Sequence, residues 1–233
     1  MLARLLPMFH ALGGLLVFFS ITYLMPIAAS FIYADGTWID FVLAMAIAFS
    51  FGAILFLLGR RHKREIKPRD GFLLVTLAWV LMAAFATVPL MLVIDDLSFT
   101  DAFFETMSGL TTTGATVLVG IERLPPAINL WRHELNWLGG MGIIVLAVAI
   151  LPLLGVGGSQ LFKAETPGPM KDQKLTPRIA ETARGLWVVY FAIALACFLA
   201  YRAAGMGWAD AFMHMCSTMG LGGFSSYDAS FGQ

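Results

Sequence analysis

Residues 108–117 read SGLTTTGATV, three consecutive threonines flanked by glycines. Such side chains fill an apolar core badly and form helix poorly. What they offer is backbone. Glycine reaches φ values that a Cβ forbids, so successive carbonyl oxygens can be turned the same way. Oxygens ringed around an axis replace the hydration shell of a monovalent cation. The pattern returns at a constant offset of 109 residues: DAFFETMSGLTTTGAT (101–116) lines up with DAFMHMCSTMGLGGFS (210–225). Asp101, Ala102 and Phe103 match Asp210, Ala211 and Phe212, Ser108 matches Ser217, Gly114 matches Gly223 and Thr116 matches Ser225. Acidic residues cluster nearby. Asp95, Asp96, Asp101 and Glu105, with Asp210 and Asp228, form an outer vestibule that would concentrate cations. The chemistry expected is a cation pathway.

The elements that must hold these loops are apolar helices. The chain of 233 residues is 59% hydrophobic and only 13% charged, with a mean hydropathy of +0.80. Five runs, 5–33, 39–59, 71–93, 134–155 and 184–204, are long enough to cross a hydrocarbon core of about 30 Å as helices. The fold class is therefore an all-α integral membrane protein. Between the third and fourth runs, Thr100 is a good N-cap with Asp101 in the first turn, and the helix should stop near Gly109. About ten residues cannot span, so this segment enters and turns back, with TTTGATV as its returning strand. The second copy repeats the device, and an internal duplication points to a site at the interface of the repeats. The sequence divides into 1–66, two extra helices and a basic loop; 67–160, a first span–loop–span repeat; 161–183, a polar loop; and 184–233, a second repeat ending after its loop.

Charge sets the orientation. Residues 60–70 hold six of the fifteen Lys and Arg residues, and only Arg123, Arg132 and Arg202 fall on the opposite side. The positive-inside rule places the N-terminus in the cytoplasm.

With SGLTTTGATVLVG, WLGGMGIIVLAVAILPLLGVGG and KAETPGPMKD, the chain resembles the Trk-type potassium uptake proteins of the Trk/Ktr/HKT superfamily, the bacterial Trk branch in particular, over its whole length. The resemblance implies a potassium pore of four non-identical span–pore loop–span repeats with re-entrant pore helices, of which about one and a half are present. Gly114 and Gly223 take the filter-glycine positions. The carbonyls of Thr112, Thr113, Leu221 and Gly222 would face the ion, with Thr111 and Gly220 shaping the loops. It also implies a homodimer, a cytoplasmic nucleotide-binding regulatory subunit, and residence in a bacterial inner membrane. Potassium is the transported ion, with Na+ or H+ open as coupling ions. The chain reads as the N-terminal portion of a longer pore.

Other constellations read more plainly. Gly139-Gly-Met-Gly142 opens a helix and follows no strand, so close helix packing is expected rather than a nucleotide loop. Gly155–Gly158 reads as a helix end, Pro152 as a kink. His10, His62, His133 and His214 share no face with acidic or thiol partners, and Cys197 and Cys216 fit no ligand pattern, so no resident metal is expected. Glu105 and His214 align, tuning the outer field or packing behind the loops. Arg132 and Arg202 are expected to snorkel. The loop 163–178 is a docking surface or a linker. No covalently bound cofactor, nucleic-acid partner or enzyme activity is implied. Two rivals remain. A non-conducting scaffold leaves the loops unexplained, and a proton- or sodium-coupled transporter needs a buried mid-membrane acid, of which the five runs hold none away from their ends.

Overall fold

The structure, a computed structural model, describes residues 2–60, 68–150, 175–230 and 232. Most of the basic cluster, Pro152, the 155–158 glycines and the 161–174 part of the polar loop lie outside the described residues.

Among the described residues all elements are helical. Helix α1 (Leu2–Ser20) runs through a 3-10 turn (Ile21–Tyr23) into α2 (Leu24–Tyr33), and α3 (Trp38–Gly59) returns. Then come α4 (Pro68–Val93), the short α5 (Phe99–Leu110), α6 (Pro126–Ile150), α7 (Leu175–Ala203) and the short α8 (Trp208–Gly220). Among the described residues four stretches are long and apolar enough to cross a membrane: Leu6–Tyr33, Trp38–Gly59, Asp70–Val93 and Arg184–Ala203. The first is interrupted one turn before Pro26. That residue has no N–H to offer the Thr22 carbonyl, and its ring crowds it.

Helices α1 and α3 cross through small residues. A Cβ on Gly13 would collide with the backbone of Gly52 and Phe56, and one on Gly52 would lie 2.9 Å from the Leu16 side chain. The approach lets His10 Nδ1 meet the Phe56 carbonyl at 2.9 Å. Close backbone contact of this kind holds helices together where lipid removes the hydrophobic drive. The core beyond it is aromatic: Tyr23 stacks on Trp131 at 4.5 Å. Their polar ends are satisfied on α4, where the Tyr23 hydroxyl donates to Phe85 O and Trp131 Nε1 to Ala86 O.

Two boundaries differ from the sequence expectation. Helix α5 starts at Phe99, with Ser98 as its N-cap: the Ser98 hydroxyl accepts from the Asp101 N–H and donates to its carboxylate. This is a reciprocal cap, and it outcompetes Thr100. Helix α6 starts at Pro126, well before the apolar run expected from 134. An apolar window does not extend back over Arg132 and His133, yet both are buried inside the protein, as is Glu134. Glu134, the end residue of the expected run, thus lies inside α6 rather than at its start and is 3% exposed.

Candidate functional site

Helices α5 and α8 each end in a loop, and the two ends are built alike. Thr113 N–H donates to Ser108 O at 2.8 Å, and Gly222 N–H donates to Ser217 O at 3.1 Å. Thr112 N–H reaches Gly109 O, and Leu221 N–H reaches Thr218 O. Each pair keeps the 109-residue offset. The dihedral angles keep it too: Thr112 and Leu221 have φ of 56° and 59°, Gly114 and Gly223 of 70° and 87°. Two left-handed residues flanking one other residue turn the chain out of the helix and into the loop. A side chain is tolerated at the first position at a cost, while the second is glycine in both copies.

The loops meet. A Cβ on Gly114 would collide with the carbonyl oxygen of Gly222. Gly114 is thereby brought beside Gly222 and Gly223, with Thr111, Thr112 and Thr113 preceding the contact on the first loop as Gly220 and Leu221 precede it on the second. The threonine hydroxyls are used locally: Thr111 Oγ1 donates to Met107 O at 2.7 Å and lies 2.9 Å from Thr113 Oγ1. Leu221 is 89% exposed.

Helix α6 forms the wall behind both loops. The Gly139-Gly-Met-Gly142 cluster packs tightly, as expected. A Cβ on Gly139 would strike Leu110 O at the end of α5, and one on Gly140 would lie 2.8 Å from the Gly220 Cα at the end of α8. Gly142 seats the Trp79 ring. About two turns closer to the N-terminus, Arg132 is 1% exposed and paired with Glu105, also 1% exposed, at 2.7 Å. Glu105 further accepts from Val117 N–H, and the Thr116 hydroxyl lies 3.0 Å from both its oxygens. Arg132 donates to Asn129 Oδ1, and its guanidinium sits 4.6 Å from the Phe224 ring of the second loop.

These contacts correct two expectations. Glu105 is no part of an exposed acidic mouth; it anchors the first loop from behind. Arg132 does not snorkel, because a buried carboxylate satisfies it. The His133 and His214 rings lie 6.4 Å apart. Among the described residues no group of three His, Cys, Asp or Glu side chains could hold a metal ion. Arg202, half-buried, stacks over Trp208 at 4.2 Å and donates to Met206 O. Asp95, Asp96 and Asp101 are exposed.

Outside the helices, two carboxylates join segments. Asp228 accepts from Gly120 N–H at 2.7 Å and Ile121 N–H at 3.0 Å, tying the ends of the two loops together. The Ile121 and Gly120 N–H groups hold its carboxyl below the usual range. Asp35 accepts from Ala127 N–H at the start of α6 and from Thr37 and Ser30. Burial pushes its carboxyl up, but these hydrogen bonds outweigh it and hold the group low. Asp228 gave a sequence signal only as an outer charge, and Asp35 gave none, because each is identified by a backbone N–H distant in sequence.

Long apolar helices around two backbone loops define an all-helical membrane protein. A family profile described as TrkH, cation transport protein, matches residues 39–233, and the chain belongs to that family. It is 54% identical over 222 residues to the Trk system potassium uptake protein TrkH of Halomonas elongata, covering 95% of this chain and 46% of the relative. Against the Escherichia coli K12 protein of the same name, identity is 50% over 221 residues, covering 94% and 46%. The crystal structure of the potassium transporter TrkH from Vibrio parahaemolyticus superposes with a TM-score of 0.85 at 45% identity, covering 97% of this chain and 45% of that one. The chain thus spans just under half the length of the relatives it matches. Their names are those of transport proteins, not enzymes, and indicate no cofactor.

Proposed function

We propose that this chain forms part of a potassium uptake pathway whose selectivity filter is built from backbone carbonyls of the two glycine loops. One observation carries the reading: two loops with the same left-handed positions, 112 and 114 against 221 and 223, meet at Gly114 and Gly222. Thr112, Thr113, Leu221 and Gly222 present the ion-facing carbonyls; Thr111, Gly114, Gly220 and Gly223 shape the strands. Helices α5 and α8, at 12 and 13 residues, are too short to span and act as re-entrant pore helices. Their C-terminal dipole ends favour a cation. Asp95, Asp96 and Asp101 enrich cations at the mouth. Similarity to proteins named for potassium uptake supports potassium as the cargo.

The same family supports a homodimer in a bacterial inner membrane, N-terminus inside, gated by a cytoplasmic nucleotide-binding subunit. The complete pore holds four such repeats around one axis. A coupled mechanism is favoured by one observation, the buried Glu134 of α6, a carboxylate of the kind that ion-coupled carriers use.

The test is Gly114→Ser in a bacterium lacking its own potassium uptake. Growth on low potassium should be lost while the protein still inserts into the membrane, because Ser at this position meets both positive φ and the Gly222 oxygen. Unchanged growth would overturn the filter assignment.

A further inference from the structure

Helix α6 turns Arg132, Asn136, Gly139 and Gly140 toward the loops, at spacings that share one helical face. Three of these are accounted for by an ion pair and by two close backbone approaches. Asn136 is not. Its side chain is 0% exposed, and neither Oδ1 nor Nδ2 has a hydrogen-bond partner among the described residues. A buried amide without partners is costly, so an apolar side chain of similar volume would fill a purely structural position better.

The amide lies against the second loop. A Cβ on Gly222 would collide with both Oδ1 and Nδ2, and one on Gly220 would lie 3.3 Å from Oδ1 and 2.5 Å from the Asn136 backbone oxygen. The two loops also differ in where they are tied. On the first, Ser108 Oγ donates to Ala115 O at 2.6 Å, and Glu105 accepts from Thr116 and Val117. On the second, the matching Ser217 Oγ is buried with no partner among the described residues. The residue matching Glu105 is His214, whose Nε2 lies 3.5 Å from Ser226 Oγ. The second loop is held further along instead, where Ser226 Oγ donates to Asp210 and Asn129 Nδ2 to Ser226 O, so the stretch around Gly222 is the one backed by an uncommitted amide.

We propose that Asn136 is a positioning residue that sets ion discrimination at the second loop. The C=O and N–H of one trans peptide point in opposite directions. When the Gly222 carbonyl turns to a cation, the Gly223 N–H of the same peptide turns toward the wall, where Asn136 Oδ1 accepts it. Asn136 Nδ2 in turn donates to a loop carbonyl that does not face the ion. The ion-loaded loop is thereby favoured over one collapsed on Gly114, and the spacing of its carbonyls is fixed. This inference rests on reading the loops as an ion filter.

The test compares potassium and sodium uptake by the intact transporter carrying Asn136→Leu, with Asn136→Met as a second variant and Gly114→Ser as reference. Expected is a fall of about tenfold in potassium preference, the scale of one lost hydrogen bond, with thermal stability unchanged or raised. Wild-type preference in both Asn136 variants, with Gly114→Ser impaired, would overturn the inference and leave the filter reading standing. Wild-type behaviour in all three would overturn both. Failure of both Asn136 variants to fold would also overturn it, since the amide would then be a structural requirement.

Discussion

Arg132 touches both loops at once, through Glu105 on one side and the Phe224 ring on the other. Because the pair is fully buried, removing one partner leaves an uncompensated charge, and the cost is about 3–5 kcal/mol. Glu105→Ala should therefore lower thermal stability sharply, and Glu105→Ala with Arg132→Ala should be less harmful than the sum of the single changes. Thermal unfolding of the four proteins in detergent measures that coupling. Asp228 gives a different signature. Its carboxyl is held low by the Ile121 and Gly120 N–H groups, so its contribution is complete above the ordinary carboxylate value of about 4 and is lost as pH falls through the lowered one. Asp228→Asn should be less stable than wild type at neutral pH, and that gap should close on strong acidification. A gap independent of pH would show that the carboxylate is not the latch. At this scale the glycine positions could be read from sequence, since positive φ leaves a compositional mark. The pairing of Glu105 with Arg132 could not, because nothing local marks a charge 27 residues away as a partner rather than a surface group.

Helix α6 is the element on which both loops depend. Its glycines at 139 and 140 receive the ends of α5 and α8, the latter within 2.8 Å of an added Cβ. Gly140→Val should displace α8 and reduce the yield of folded protein, because the obstacle is backbone and cannot rotate away. Gly71→Val, where nothing lies within 4 Å of the added atom, serves as the control, and fluorescence-detected gel filtration compares them. The glycine cluster was legible as a packing surface. The true start of α6 was not: hydropathy judges a residue by its transfer cost alone, whereas Arg132 and His133 are buried with hydrogen bonds to Glu105 and Asn129. The cap of α5 was misplaced for a related reason, as Ser98 and Thr100 differ only in which one finds Asp101 three residues on.

At the scale of the molecule, outer faces of α3 and α7 remain apolar, with Ile54, Leu57 and Leu58 and with Val188, Ile193 and Leu195 each more than half exposed. That is the surface expected of helices solvated by hydrocarbon. The helical class and the duplicated loops were legible in apolar run length and in the 109-residue match, because a membrane imposes length and a repeat imposes spacing. How closely the two loops approach was not, since nothing local in the sequence marks Gly114 and Gly222 as neighbours. The most direct measurement is the flux of potassium and sodium into liposomes containing the intact transporter. A filter of backbone carbonyls predicts potassium-preferring flux. Equal flux of the two ions through well-inserted protein would contradict it.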